Sequence, residues 1–228
     1  MKVIIIASGG LDSTCLITKA LNDVNITDIA LLHFDYGSKH AGQENAALRR
    51  VAKQLEGRRV RNLPIYVMDI DLSYTNSALI NPNVEIPKGH YQSPEMQATV
   101  VSFRNGIFLA YAASLAESLG FDSVMYGGHA GDHAIYPDCR PGFASSMGEA
   151  ILEGTDDKVT LYSPFINMSK SQIIQVSEAE PGLLAMTYSC YEGGEDHCGT
   201  CGTCIERQEA FALAGVEDLT LYETPVKS

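Results

Sequence analysis

Two groups of residues in this chain have the types and spacing to do chemistry. The first is Ser8-Gly9-Gly10-Leu11-Asp12-Ser13-Thr14, which follows a short β-branched run, Val3–Ala7. Two glycines clear side chains away from the backbone. A helix starting there would aim free N–H groups and its positive dipole end at an anion, and Ser8, Ser13 and Thr14 add hydroxyl donors. Loops that transfer a terminal phosphate carry a lysine at the helix start; here Asp12 stands in the loop, and Lys19 is too far into the helix to substitute. Asp12 can complement the helix dipole as a cap, or hold Mg²⁺ against pyrophosphate oxygens. A glycine turn with an N-cap and no ligand is the plainer alternative.

The second group is Cys190, Cys198, Cys201 and Cys204, spaced C-x7-C-x2-C-x2-C, with Gly199 and Gly202 between them. Four thiolates that can converge read as a closed, structural zinc site, one ion per chain. A redox pair at Cys201 and Cys204 and an iron–sulfur cluster are the competing readings. His197 is an alternative ligand or a neighbour of the site. Cys15 and Cys139 stand alone, Cys15 as a buried small hydrophobe.

Positioning these groups requires a scaffold. Lys2–Ala7 reads as a buried strand, Ile29–Phe34 as a second apolar run and Pro64–Ile70 as a third strand, separated by helical spacing over Ser13–Leu21 and Ala41–Leu55. That β-α-β-α-β order predicts an α/β fold with a parallel sheet and helices on both faces. Residues 73–100 are rich in Asn, Pro, Gly and Ser, and too long for an ordinary connection; they read as a functional loop or partly disordered. Arg104–Leu119 is predicted helical, Asp122–Tyr126 a strand, Asp132–Phe143 irregular, Ser145–Glu153 a helix, Val159–Tyr162 a short strand and Ser169–Glu178 a capped helix.

Of the 228 residues, 45% are hydrophobic, which suits a globular core, and no apolar run is long enough for a membrane span. Val3–Ala7 lacks the length and cleavage region of a signal peptide. The expectation is a soluble cytoplasmic protein. A formal net charge of −12 argues against nonspecific nucleic-acid binding. The one basic cluster, Arg58-Arg59-Val60-Arg61 near Arg49 and Arg50, reads as a solvated helix end.

The Ser8–Ser13 loop resembles the PP-loop of N-type ATP pyrophosphatases, which hold the pyrophosphate of ATP while AMP moves to an acceptor oxygen. Three further segments narrow the resemblance: FDYGSKH at 34–40, TVVSFRNGIFLAYAA around Arg104-Asn105, and GGHAGDHAIYPDCRPGF at 127–143. With the four cysteines they resemble the 7-cyano-7-deazaguanine synthase family over nearly the whole chain.

The resemblance implies an adenine-nucleotide α-hydrolase-like (Rossmann-like) domain over residues 1–185, and a zinc module with a C-terminal helix packed on it over residues 186–228. It implies an ATP-dependent ligase acting on 7-carboxy-7-deazaguanine and ammonia, through an adenylated acid and then an adenylated amide, to give the nitrile. The alternatives are a variant that stops at the amide or accepts a related acid, and a tRNA-modifying PP-loop enzyme. ATP with Mg²⁺ would lie on Ser8, Gly9, Gly10, Leu11, Asp12, Ser13 and Thr14, with Phe34 and Tyr36 at the adenosine. The substrate would meet Arg104, Asn105, Asp132, Tyr136, Asp138 and Arg140. Asp12, Ser13, Arg104 and Asp132 are the implied catalytic groups, and His129 and His133 are candidate bases for ammonium. Asp132 and Asp138 read equally as loop caps, and Arg104 as a surface ion pair. No direct nucleic-acid or membrane binding is implied, and a homodimer is the expected assembly. Two departures stand out. Ser38-Lys39 replaces the family's usual Gln-Arg, and Ser102-Phe103 stands where a proline usually lies two residues before Arg-Asn; either could change the acid accepted or the product.

Overall fold

The computed structural model describes residues 1–59 and 62–223. Val60 and Arg61 of the basic cluster, and the last five residues, lie outside the described residues. The elements run β1 (Lys2–Ile6), α1 (Leu11–Asn22), β2 (Asp28–Asp35), α2 (Ala41–Leu55), β3 (Ile65–Asp69), α3 (Arg104–Leu119), β4 (Ser123–Met125), α4 (Pro141–Gly154), β5 (Thr160–Tyr162), α5 (Lys170–Ser177), α6 (Pro181–Ala185) and α7 (Gly202–Ala214). No helix among the described residues is long and apolar enough to cross a membrane.

The sheet is parallel throughout, in the order β3-β2-β1-β4-β5. Alternate residues of a strand face opposite sides, and both sides are apolar here. Val3, Ile5 and Leu31 pack with Leu16 of α1, Leu48 of α2 and Ile173 of α5. Ile4, Leu32 and Val124 pack with Leu109 and Ala112 of α3 and Ile151 of α4. That two-sided burial explains the unbroken apolar runs. The chain order reverses at β1, which has β2 on one side and β4 on the other. Ligands of open α/β sheets lie beyond the strand C-termini at such a reversal. The loops that follow β1 and β4 are Ser8–Gly10 and Gly127–His129.

Residues 73–100 fold back onto the body. Ala78 N donates to Ala98 O at 2.7 Å, and Leu79, Ile86, Tyr91 and Met96 are buried. Helix α4 begins at Pro141, four residues earlier than expected, because a proline at the first helical position gives up an N–H that has no partner there. Helix α6, five residues long, is too short to leave a periodic signal. The cysteine segment packs on the same body: Cys190, Cys201 and Cys204 join the apolar cluster of Leu32 and Leu109, and Tyr188 N donates to Gly9 O at 3.0 Å. Arg207 of α7 is wholly buried. It donates to Leu184 O, Thr187 Oγ1, Ser189 Oγ and Thr220 Oγ1, tying the segments on either side of the cysteines together.

Candidate active site

The Ser8–Gly10 loop turns sharply because Gly9 has φ +91° and lies against α2. A Cβ there would meet Glu44 O at 2.3 Å and Leu48 N at 2.7 Å, so only glycine fits. Gly10 caps α1 in an extended conformation. Ser8 Oγ accepts from Gly10 N at 3.1 Å; Ser13 Oγ accepts from Gly9 N at 3.3 Å and donates to Gly10 O at 3.1 Å. The first N–H groups of α1 have no helical partner and point at the space above the loop. Thr14 is buried below the loop.

Asp12 anchors an ionic cluster that reaches this loop from three directions. Its Oδ2 lies 3.5 Å from Lys170 Nζ, at the start of α5, and 3.5 Å from His129 Nε2, after β4. Lys170 also pairs with Glu206 of α7, and His129 Nε2 lies 3.5 Å from Asp132 Oδ2. Burial works to raise the Asp12 pKa, but Lys170 and His129 outweigh it and hold the carboxyl well below its usual range. Burial likewise opposes charge on His129, yet Asp132 and Asp12 carry its pKa up to about 9. Gly131 N donates to His129 Nδ1 at 3.1 Å, which opposes that charge and turns the Nε2–H toward the carboxylates. Asp12 Oδ1 is buried and has no hydrogen-bond partner among the described residues. An orphaned carboxylate oxygen beside free N–H groups suits a divalent cation carried in on phosphates.

The opposite wall is cationic and aromatic. Arg104, first residue of α3, donates from Nη1 to Tyr36 Oη at 2.9 Å, and its guanidinium lies 5.2 Å from the Tyr36 ring centroid and 5.8 Å from that of Phe108. Phe34 stacks on Phe108 at 4.1 Å. The Tyr36 hydroxyl is the one hydrogen-bond partner of the Arg104 side chain among the described residues, which leaves most of the guanidinium fork open to an anion.

One cavity joins the two walls. Ser8, Gly10, Leu11, Asp12, Ser13, Phe34, Tyr36, Arg104, Asn105, Asp132 and Tyr136 all line it. The space between the two walls, including the solvent at its open mouth, is about 1170 Å³. Other residues expected at the site lie off its surface. Gly9 and Thr14 support the loop from behind. Asp138 accepts from Asn105 N at 2.9 Å, capping the start of α3. Arg140 is exposed and donates to His133 O at 2.9 Å. Tyr136 reaches the cavity with its hydroxyl 2.6 Å from Thr99 Oγ1 and 3.3 Å from Tyr191 Oη. Asp132 accepts from Tyr91 Oη at 2.8 Å.

Sequence reading missed Lys170, whose position after Ser169 has the signature of a helix cap, and Glu206, Tyr91 and Glu44. None sits near the glycine loop in sequence, and no spacing rule links them to it. Neither departure lines the cavity. Lys39 Nζ donates to Val84 O at 2.6 Å. Phe103, with φ 54°, folds its ring over Gly106 and packs edge-on to Phe143.

The four cysteine sulfurs lie within 4.8 Å of one another, with Cys198 Sγ 4.0 Å from Cys204 Sγ. Tetrahedral zinc at about 2.3 Å from each sulfur requires separations of about 3.8 Å. Thr200 N and Cys201 N point at Cys198 Sγ, at 3.4 and 3.3 Å. Such N–H groups favour thiolates, so the donor set fits a metal. His197 accepts from Ser189 N at 3.0 Å through Nε2, beside the cluster.

A family model described as queuosine biosynthesis protein QueC matches residues 2–215. Among curated relatives, the 7-cyano-7-deazaguanine synthase of Rhizobium rhizogenes is 44% identical over 230 residues, covering 99% of this chain and 93% of that protein. That of Rhizobium meliloti is 44% identical over 228 residues, with 99% and 93% covered. That of Brucella anthropi is 42% identical over 226 residues, with 98% and 94% covered. A solved U34-tRNA thiolase from Methanococcus maripaludis superposes with a TM-score of 0.47 at 13% identity, over 83% of this chain and 58% of that one.

Proposed function

The chain belongs to the QueC family of queuosine biosynthesis proteins, and on that premise we propose that it converts 7-carboxy-7-deazaguanine, ATP and ammonia to 7-cyano-7-deazaguanine. The observation that carries this reading is the cavity with Lys170 and Asp12 at one wall and Arg104 at the other. A carboxylate does not accept ammonia, because oxide is too poor a leaving group. The substrate carboxylate therefore attacks the α-phosphorus of ATP; the new O–P bond replaces the bond to pyrophosphate, which leaves. Lys170 and the first N–H groups of α1 stabilise the charge that gathers on the leaving pyrophosphate, and Asp12 holds its Mg²⁺. Arg104 orients the acid for attack. Ammonia then displaces AMP to give the amide. The amide oxygen is adenylated in turn, the nitrogen giving up one proton, and loss of AMP with the second nitrogen proton leaves the nitrile.

Both departures from the family pattern lie off the cavity surface, which favours the nitrile over a reaction stopped at the amide. The net charge of −12 favours small-molecule substrates over tRNA. In this reading the enzyme is cytoplasmic. Residues 1–185 perform the chemistry, and the cysteines in 186–228 bind one structural zinc ion, which locks the loop beneath Tyr188 and Tyr191 in the cavity wall. The exposed Phe103, paired with Phe143, provides an apolar surface for a homodimer. Incubation with the acid, ATP and ammonium should release AMP and a product with the nitrile's mass. An absence of acid-dependent AMP would overturn the proposal, and a product that stays at the amide mass with ATP in excess would assign the shorter reaction.

A further inference from the structure

The adenylation chemistry leaves one buried carboxyl of the cavity without a task. Glu44, in the first turn of α2, lines the same space as the glycine loop and Arg104, and its side chain is only 14% exposed. No hydrogen bond holds its carboxyl among the described residues. The groups that face it are few. His40 Nε2 lies 3.8 Å from Oε1 on the same helix. Arg104 acts on it from α3, with only its Nη1 engaged by the Tyr36 hydroxyl, which also faces Glu44, and Asp35 lies at the end of β2. Burial raises the Glu44 pKa to about 8; Arg104 opposes the rise and Asp35 adds to it. Burial and Arg104 bring His40 down to about 4, so it offers Glu44 a neutral ring.

Resting on the adenylation reading above, we propose that Glu44 is the base that receives ammonium in the cavity, takes one proton from it, and presents ammonia to the acyl adenylate. Ammonium has no lone pair and cannot attack. When ionised, the Glu44 carboxylate in this low-dielectric wall attracts the cation, and the arriving cation in turn favours the ionised form. A proton from N–H to the carboxylate oxygen then frees the lone pair. The C–N bond forms at the acyl carbon, the C–O bond to AMP breaks, and AMP leaves with the electron pair. The nitrogen sheds its second surplus proton to solvent, and Glu44 releases its own there. An ordinary carboxylate is too weak a base for this transfer, whereas a carboxyl raised toward the working pH is matched to it. His129 and His133 are less suited: His129 is bound to Asp12 and Asp132, and neither ring lines the cavity.

The test compares the wild-type enzyme with Glu44→Gln in three assays at neutral pH: acid-dependent exchange of pyrophosphate into ATP without ammonia, turnover with ammonium, and turnover with hydroxylamine, an amine already neutral there. The expected result is a loss in kcat/KM for ammonium about 10²-fold larger than any loss in exchange, shrinking to a few-fold with hydroxylamine. Glu44→Asp, which keeps the base and withdraws it, should fall between. Equal losses with ammonium and hydroxylamine would overturn the inference. So would an exchange loss as large as the ammonium loss with a raised KM for the acid, which would assign Glu44 to the N–H edge of the deazaguanine. If the wild-type enzyme shows no acid-dependent exchange, the adenylation reading fails first and takes this inference with it.

Discussion

Lys170 Nζ stands 3.5 Å from Asp12 Oδ2, so the lysine absent from the glycine loop reaches it from the other end of the chain. Ser169 caps α5 through a reciprocal pair of hydrogen bonds with Gln172, and this fixes where the helix, and hence Lys170, begins. Glu206 holds the ammonium group from its far side. The proposed phosphate site thus combines a short loop that supplies N–H groups with a distant helix that supplies the cation.

Lys170→Met should lower kcat/KM for ATP by roughly 10²–10³-fold, the range for removing one preorganised donor at developing charge. Binding of the acid should change little. Titrating each ligand separately checks this, and an unchanged kcat/KM for ATP would remove Lys170 from the phosphate site.

Arg104→Met should raise KM for the acid by about ten- to a hundredfold, as expected for loss of a charge-assisted contact worth roughly 1.5–3 kcal/mol. The amide intermediate carries no charge there, so its KM should rise much less. Arg104→Lys should restore only part of the binding, because an ammonium cannot reproduce the planar fork. Equal effects on acid and amide would contradict the placement of the substrate carboxylate.

The Glu44 carboxyl gives stability a pH dependence of definite sign. Its pKa in the fold, about 8, exceeds the unfolded value, so the folded state binds the proton more tightly. Stability from that difference is fully present below the unfolded pKa, near 4.3, and is lost as pH rises toward about 8. Glu44→Gln mimics the protonated form. Its Tm should match that of the wild-type protein near pH 4 and exceed it increasingly up to about pH 8. Thermal unfolding across that range checks this; parallel curves would contradict it.

Metal analysis should find about one zinc ion per chain, without the visible absorption of an iron–sulfur cluster. Cys198→Ser with Cys201→Ser should abolish binding and lower Tm strongly, because structural metal sites couple binding to folding. A metal-free double variant of unchanged Tm would contradict a structural role.

The parts of the site that are contiguous in sequence were the legible ones. Ser8–Ser13 joins a strand to a helix within a few residues, so its chemistry shows in the order of side chains. Helices α2 and α3 have the expected limits, because the spacing of their apolar residues is regular and Gly120 ends α3 in a left-handed turn. Lys170, Glu206 and Glu44 were not legible, because Lys170 and Glu44 reach the cavity, and Glu206 reaches Lys170, only through packing between elements far apart in the chain. Asp138 and Arg140 show the converse. Their YPDCR segment stands out in sequence, but Asp138 caps α3 and Arg140 faces solvent, so the motif's contribution to the cavity comes through Tyr136 and Cys139.

The central claim is that the substrate's carboxylate oxygens leave on AMP. Acid labelled with oxygen-18 in both carboxylate positions tests it most directly, with mass spectrometry of every product. The account predicts two AMP per nitrile, each with one labelled oxygen, and unlabelled pyrophosphate. Label in inorganic phosphate or water, or unlabelled AMP, would contradict it.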